Sequence, residues 1–447
     1  MSRSEELKKV IALCDYITTA EETIAARSFD FALFGYALCK LDEYLGEDRY
    51  YMFLKSFCDG YACNPQVLTA ANDAAPAIVL NEMHKKTGAE EYAAPVKAAL
   101  EFLESRQRIQ GLPYRFNGVF RSVQTETLIS DLLVRYLCGE NRQGLSELPA
   151  LYAECLMDKN DKLFYRSYMP ETRMRLPIGR NYPARDNALA LFALSLLAEG
   201  EGYSDEGLNK LIAGLTQSIL KYQNADGTYG GFLKNKRKSE AHDFLTDGKK
   251  TALMRTAENA VNIFSKNKKN GEGRDIDPRF GVKLSNQGGD IDPRFGVKSS
   301  NQGGDIDPRF DVDSNRQGGG IDPSKTPAYG ESPSERLSGS GGGSQDPAIA
   351  AYYAACCIKN ASAGIVDEGY IKIGERAFFS GLNSLTNEGG AIYLPDVTKK
   401  SFVQSIMPGL FLKLNPRTRN NPYGVAGLVF AAITADGYRL KNQKAKT

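Results

Sequence analysis

Two kinds of segment alternate along this chain. Residues about 29–44, 73–86, 126–138, 187–199, 347–359 and 424–436 are apolar nearly throughout. Residues about 4–26, 50–61, 91–107, 146–157, 205–223 and 369–385 place apolar residues three and four apart, with polar residues between. Both patterns are helical. Spacing of three and four puts the apolar side chains on one stripe, whereas a helix apolar all round needs neighbours on every side. The stretch 181–232 shows the unit. Asp186 or Asn187 caps the apolar helix ALALFALSLLAEG, which Gly200 and Gly202 end. Ser204 and Asp205 cap its one-sided partner, whose stripe is Leu208, Leu211, Ile212, Leu215, Ile219 and Tyr222.

Six buried helices alternating with six one-sided ones predict an inner ring wrapped by an outer ring. The expected fold is all-α, an (α/α)6 barrel, with 1–265 and 346–447 forming one domain. An open solenoid of helix pairs is the competing arrangement, but no strict period runs through the helices. Residues 266–345 break the pattern. The unit DIDPRFGVKxSNQGG starts at Asp275, Asp290 and Asp305, 15 residues apart, with a decayed copy from Gly320. This stretch is rich in Gly, Pro, Asn and Ser and ends in SGSGGGS, so it predicts a disordered insertion enlarged by duplication. The other reading is a tethered recognition segment. Its Asp-x-Asp pairs lack the spacing of a calcium loop.

The balance of 56 basic against 54 acidic residues argues against nucleic acid or a membrane surface as main partner. No apolar run approaches the 18 or so residues of a membrane span, and the N-terminus reads as an amphipathic helix, so a cytoplasmic protein is expected. The eight cysteines lie mostly within apolar helical runs and read as buried reduced thiols. Only two histidines, His84 and His242, are present, so a histidine-based metal site is not expected.

In a closed toroid the inner helices all start on one face, where their free amides and positive dipole ends gather. Asp30, Asp73, Glu126, Asp186 with Asn187, and Asp346 stand at five of these starts, and Tyr423 at the sixth. Acidic residues at helix starts are ordinarily caps. Together with Arg185 they also describe a funnel for a small polyol bearing an acid group, in which Arg185 and the helix ends hold the anion and a carboxyl group moves a proton. Aromatic residues fall in the loops of that rim, among them Tyr165, Tyr182, Tyr229 and Tyr423. They suit stacking on a sugar face or simple packing under loops, and the absence of tryptophan counts against the first use. There is no phosphate-binding loop, dinucleotide fingerprint or nucleophile elbow.

PARDNALALFALSLL followed by LKYQNADGTYGGF resembles the Ala-Arg-Gly-Asn-Gly-Trp helix start and Gln-x-x-Asp-Gly-x-Trp turn of glycoside hydrolase families 88 and 105. These are unsaturated glucuronyl and rhamnogalacturonyl hydrolases with an (α/α)6 barrel. Ala184, Arg185 and Asn187 match; Asp186, Ala188 and Leu189 replace Gly, Gly and Trp. LTAANDAAPAIVL resembles the aspartate-bearing inner helix and puts that aspartate on Asp73, and NNPYGVAGLVFAA resembles the closing Pro-Tyr-Gly helix with Tyr423. SVQTETLIS stands at the catalytic motif, with Glu126 in place of its aspartate, and Arg166 in LFYRSY stands for a loop histidine. The resemblance covers nearly all of the chain outside 266–345. It implies protonation and hydration of the 4,5 double bond of an unsaturated uronic acid in a short oligosaccharide, without metal or organic cofactor. Glu126 and Asp73 form the implied carboxyl pair; Arg185, Asn187, Tyr165, Arg166, Tyr182, Tyr229 and Tyr423 bind substrate. An enzyme is the favoured reading. The alternative is a catalytically inactive barrel that binds a glycan or a protein. The sequence does not set the oligomeric state.

Overall fold

The structure, a computed structural model, describes residues 3–19, 27–116, 121–139, 145, 147–234, 345–389, 391–395, 397–398 and 417–444. The repeat insertion expected at 266–345 lies outside them apart from Gln345. Among the described residues there are twelve α-helices: α1 (Glu5–Thr19), α2 (Phe29–Leu45), α3 (Tyr51–Cys63), α4 (Ala77–Thr87), α5 (Glu90–Ser105), α6 (Thr125–Cys138), α7 (Leu148–Leu156), α8 (Ala184–Gly200), α9 (Glu206–Leu220), α10 (Pro347–Ser362), α11 (Gly369–Asn383) and α12 (Pro422–Lys444). The even-numbered helices form the inner ring. Each packs against the next, and α12 packs back against α2. The odd-numbered helices lie outside, α9 on α8 and α11 on α10 for example. This is the (α/α)6 toroid that the alternation of apolar and one-sided segments predicts.

The division of labour is visible in burial. All but two residues of α8 are buried, whereas α9 buries only Leu208, Ile212, Leu215, Thr216, Ser218 and Ile219. Asp205 caps α9 as expected, accepting from the Leu208 amide at 2.9 Å. Two inner helices start elsewhere than the sequence predicts. α4 begins at Ala77 rather than near 73. Pro76 lacks the N–H that would bond back to Asn72, so the ladder is interrupted there and 71–74 form a separate 3₁₀ turn although Ala75 keeps helical backbone. α8 begins at Ala184, directly after Pro183, so neither Asp186 nor Asn187 is its cap.

Close contact between inner helices depends on small residues. A Cβ on Gly427 would stand 2.8 Å from the Tyr352 ring, so only glycine lets α12 pass this close to α10. A Cβ on Gly35 would meet Val79 at 2.7 Å, which sets the approach of α2 to α4.

Short strands lead into the inner helices. β1 (Arg108–Ile109) and β2 (Leu112–Pro113) form a hairpin; β3 (Arg115–Phe116), β4 (Arg121–Gln124), β5 (Ser167–Met169) and β6 (Met174–Leu176) form an antiparallel sheet in that order. β7 (Asn181–Pro183) pairs with β8 (Phe232–Lys234), with Tyr182 opposite Leu233. β4 runs directly into α6 and β7 into α8, which brings these strands to the N-terminal rim of the ring. Among the described residues no helix is long and apolar enough to cross a membrane.

Candidate functional site

Arg185 is the centre of the rim. It sits in the first turn of α8, and that helix is buried on nearly all sides, so its guanidinium is drawn into the barrel with its side chain only 7% exposed. It donates a hydrogen bond to Asp30 in the first turn of α2, a helix capped by Ser28 through the Phe31 amide at 3.2 Å. The guanidinium also lies over the Tyr423 ring, 4.2 Å from its centre. Burial works against its charge, but Asp30 and the neighbouring Tyr423 and Glu126 outweigh it and hold Arg185 above its ordinary range. Its Nη1 is buried and has no hydrogen-bond partner among the described residues. A buried cation with an unused donor is a place for an anion.

Two tyrosines complete this wall. Tyr423 stacks on Tyr352 of α10 with ring centres 4.9 Å apart and planes 17° from parallel. Both are fully buried, and neither hydroxyl has a partner among the described residues. Burial pushes both phenols well above their usual range, so both stay protonated and able to donate.

Glu126 stands in the first turn of α6. The start of that helix is tied down by Thr125, whose amide donates to the Arg166 carbonyl at 2.9 Å and whose hydroxyl donates to the Tyr165 carbonyl at 2.5 Å. Asn72 donates to Glu126 Oε1. Asn72 is oriented in turn by the Ser130 hydroxyl, which donates to its Oδ1 at 2.5 Å. Asp73 turns the other way. Its Oδ2 accepts from the Thr69 amide, the Thr69 hydroxyl and the Ala70 amide, each at 2.8 Å, so it braces its own turn.

The remaining predicted binding residues hold the rim together. Asn187 is fully buried: its Oδ1 accepts from the Phe164 amide at 2.7 Å, and its Nδ2 donates to the carbonyls of Phe164 and Pro183 at 2.9 Å. Its amide is therefore spent on fixing the 163–165 loop against α8. Arg166 pairs with Asp186 across 3.8 Å, which explains why a buried acid is tolerated beside Arg185. Tyr165 and Tyr182 meet edge to face at 5.0 Å, and their hydroxyls donate to Asp158 and Asp161 at 3.3 and 2.6 Å. Tyr229 is buried edge-on against Tyr353. Phe116, by contrast, is 62% exposed on its strand.

The structure thus brings Arg185 together with Tyr423 and Glu126, ties the side chains of Asp73, Asn187, Tyr165 and Tyr182 into hydrogen bonds with neighbouring segments, and packs Tyr229 on Tyr353. Asp30, Asn72 and Tyr352 join the site although the sequence did not single out the last two. The aspartate beside Asn72 was the cue for that turn, but which of two adjacent residues faces α6 depends on the 3₁₀ geometry. Among the described residues no three His, Cys, Asp or Glu side chains come together as metal ligands. All eight cysteines are free thiols.

Neither a family model nor a curated protein sequence matches this chain. Solved structures do. A glycoside hydrolase of family 105 from Clostridium acetobutylicum superposes with a TM-score of 0.65 at 12% identity, covering 97% of this chain and 100% of that one. A possible family 105 member from Salmonella enterica gives 0.65 at 12% identity over 99% and 95%. The unsaturated glucuronyl hydrolase of Bacillus sp. GL1, responsible for degrading glycosaminoglycan, gives 0.58 at 10% identity over 95% and 96%. At this identity the likeness establishes a shared fold: the chain has the six-hairpin toroid of the family 88 and 105 structures.

Proposed function

We propose that this protein is a glycoside hydrolase-like protein that takes unsaturated uronic-acid-containing oligosaccharides at the N-terminal rim. The observation that carries the reading is the buried Arg185, whose Nη1 has no hydrogen-bond partner among the described residues while Glu126 acts on the same guanidinium. A uronate carboxylate supplies the missing acceptor. The Tyr352 and Tyr423 hydroxyls, buried without hydrogen-bond partners among the described residues, suit sugar hydroxyls. The solved structures of this fold include enzymes named for unsaturated glucuronides, which supports the substrate class.

On this reading the Glu126 carboxylic acid gives its proton to C4 of the unsaturated ring. Water adds at C5 and returns a proton to the Glu126 carboxylate. The product is a hemiketal at C5, which opens and releases the linked sugar. The test is loss of the ultraviolet absorbance of unsaturated disaccharides. Wild type bleaches at least one of a panel, and Glu126→Gln is slower by roughly 10²–10⁴-fold, the usual contribution of a general acid–base group. Equal rates for the two proteins would remove Glu126 from the role.

A second reading, an inactive barrel that binds a glycan or protein, is favoured by one specific observation. Asn72 donates its amide to Glu126, and the Asp73 carboxylate is engaged in its own turn. On that reading the panel is bound and not bleached.

A further inference from the structure

The end of the barrel opposite the rim holds a cavity of about 630 Å³. Its walls are the C-terminal parts of α2 and α8 with the facing parts of α10 and α12, whereas Asp30, Arg185 and Tyr423 lie at the starts of their helices. The floor is aromatic. Phe192 and Phe430 pack at 4.6 Å, Tyr36 meets Phe430 at 5.8 Å, and Phe430 keeps 8% of its surface open although neighbours on its helix keep none. The volume lies within the few hundred to a thousand cubic ångströms usual for small-molecule sites.

The polar groups at the mouth are matched in charge. Lys40 Nζ stands 2.9 Å from Glu43 and 3.1 Å from Glu82, whose other oxygen takes Lys85 at 3.0 Å, and 5.4 Å above the Tyr36 ring. Lys359 pairs with Glu199. Ser195 is already engaged, donating to the Leu191 carbonyl at 2.8 Å and accepting from Asn360 at 3.0 Å. An ammonium has three donors and a carboxylate about four acceptor positions, so these pairs keep hydrogen-bonding capacity but no spare charge. An ionic ligand has to part a lysine from its glutamate. A ligand with hydroxyls, no net charge and one apolar face uses the spare donors and acceptors and lies on the aromatic floor.

We propose that this cavity is a second saccharide site, for a neutral sugar ring, separate from the anion-selective rim and independent of any turnover there. The test is ligand-observed saturation-transfer NMR on the full chain. Glucose, galactose and rhamnose are the probes, with glucuronate and glucosamine as charged counterparts. At least one neutral sugar is expected to give a saturable signal. Thr434→Trp, which puts an indole into the cavity where the sugar ring would lie, abolishes it; Lys359→Met, which changes only the mouth, weakens it at least five-fold; Arg185→Lys at the rim leaves it unchanged. Thermal melts establish that each variant is folded, and if Thr434→Trp is not, Lys359→Met decides. Absence of a saturable signal from every neutral sugar overturns the proposal. So does a signal that Lys359→Met leaves intact, or one that only a charged sugar gives.

Discussion

The two ends of the barrel handle charge in opposite ways. At the N-terminal rim one guanidinium is buried with a donor to spare among the described residues: Asp30 takes one, the Tyr423 ring covers a face, and Nη1 has no hydrogen-bond partner there. At the C-terminal end Lys40 and Lys359 each have a glutamate at hand, and the mouth is balanced. The same inner helices build both ends. An excess donor held away from water is costly unless something completes it, which is why the proposed function gives the rim an anionic substrate. A balanced mouth gains nothing from an ion, so the far end selects a neutral ligand. The contrast separates two chemistries on one scaffold.

Four changes break or sharpen that contrast. The largest effect is Glu126→Gln, expected to cut turnover by two to four orders of magnitude in the absorbance assay while leaving sugar binding at the far end unchanged. Arg185→Met comes next. It leaves Asp30 in the barrel without its cation, and urea unfolding is expected to report a loss of about 3 kcal/mol, the low end for a broken buried pair because Asp30 keeps some solvent contact. Asp30→Asn in the same chain recovers part of that loss; if it recovers none, the pair is not what stabilises the rim. Gly427→Ala pushes a methyl into the Tyr352 ring and is expected to lower stability by roughly 1–3 kcal/mol, read as a shift in the urea midpoint.

The smallest effect is a pH dependence, and it belongs to the far end. Burial pushes Asp42, near the end of α2, up to about 6, against the pull of the Tyr50 amide that it accepts at 3.1 Å. Asp48 and Lys86 are the charged groups near it. Below about pH 4 this carboxyl is neutral folded or unfolded. Between that value and about 6 the folded chain holds the proton more tightly than the unfolded one, so its contribution to stability falls as pH rises through the window. Asp42→Asn is expected to flatten that part of the stability curve, measured by urea midpoints from pH 4 to 7. An unchanged slope would assign it to other carboxyls.

Much of the fold was legible in the chain because burial of a helix on all sides leaves an apolar run that nothing else explains. Six such runs alternating with six stripes implied two rings, and the ring contacts agree. Helix starts were legible only to within a few residues, since Pro76 and Pro183 override the neighbouring capping side chains. The site was legible where chemistry and position coincide, as at Arg185. It was opaque where a contact spans the ring. Arg185 and Asp30 are 155 residues apart, and Asn72 and Glu126 are 54 apart. Tyr352 reads in sequence as one more apolar residue of α10, and only its stacking on Tyr423 reveals it as part of the wall.

The most direct test is calorimetric binding of an unsaturated uronic disaccharide and of its methyl ester to the Glu126→Gln protein, with and without Arg185→Lys. The account predicts that the free acid binds at least ten-fold more tightly than the ester, and that Arg185→Lys erases most of the difference while leaving the ester unchanged. Equal affinity for acid and ester, or a preference that survives Arg185→Lys, would contradict it.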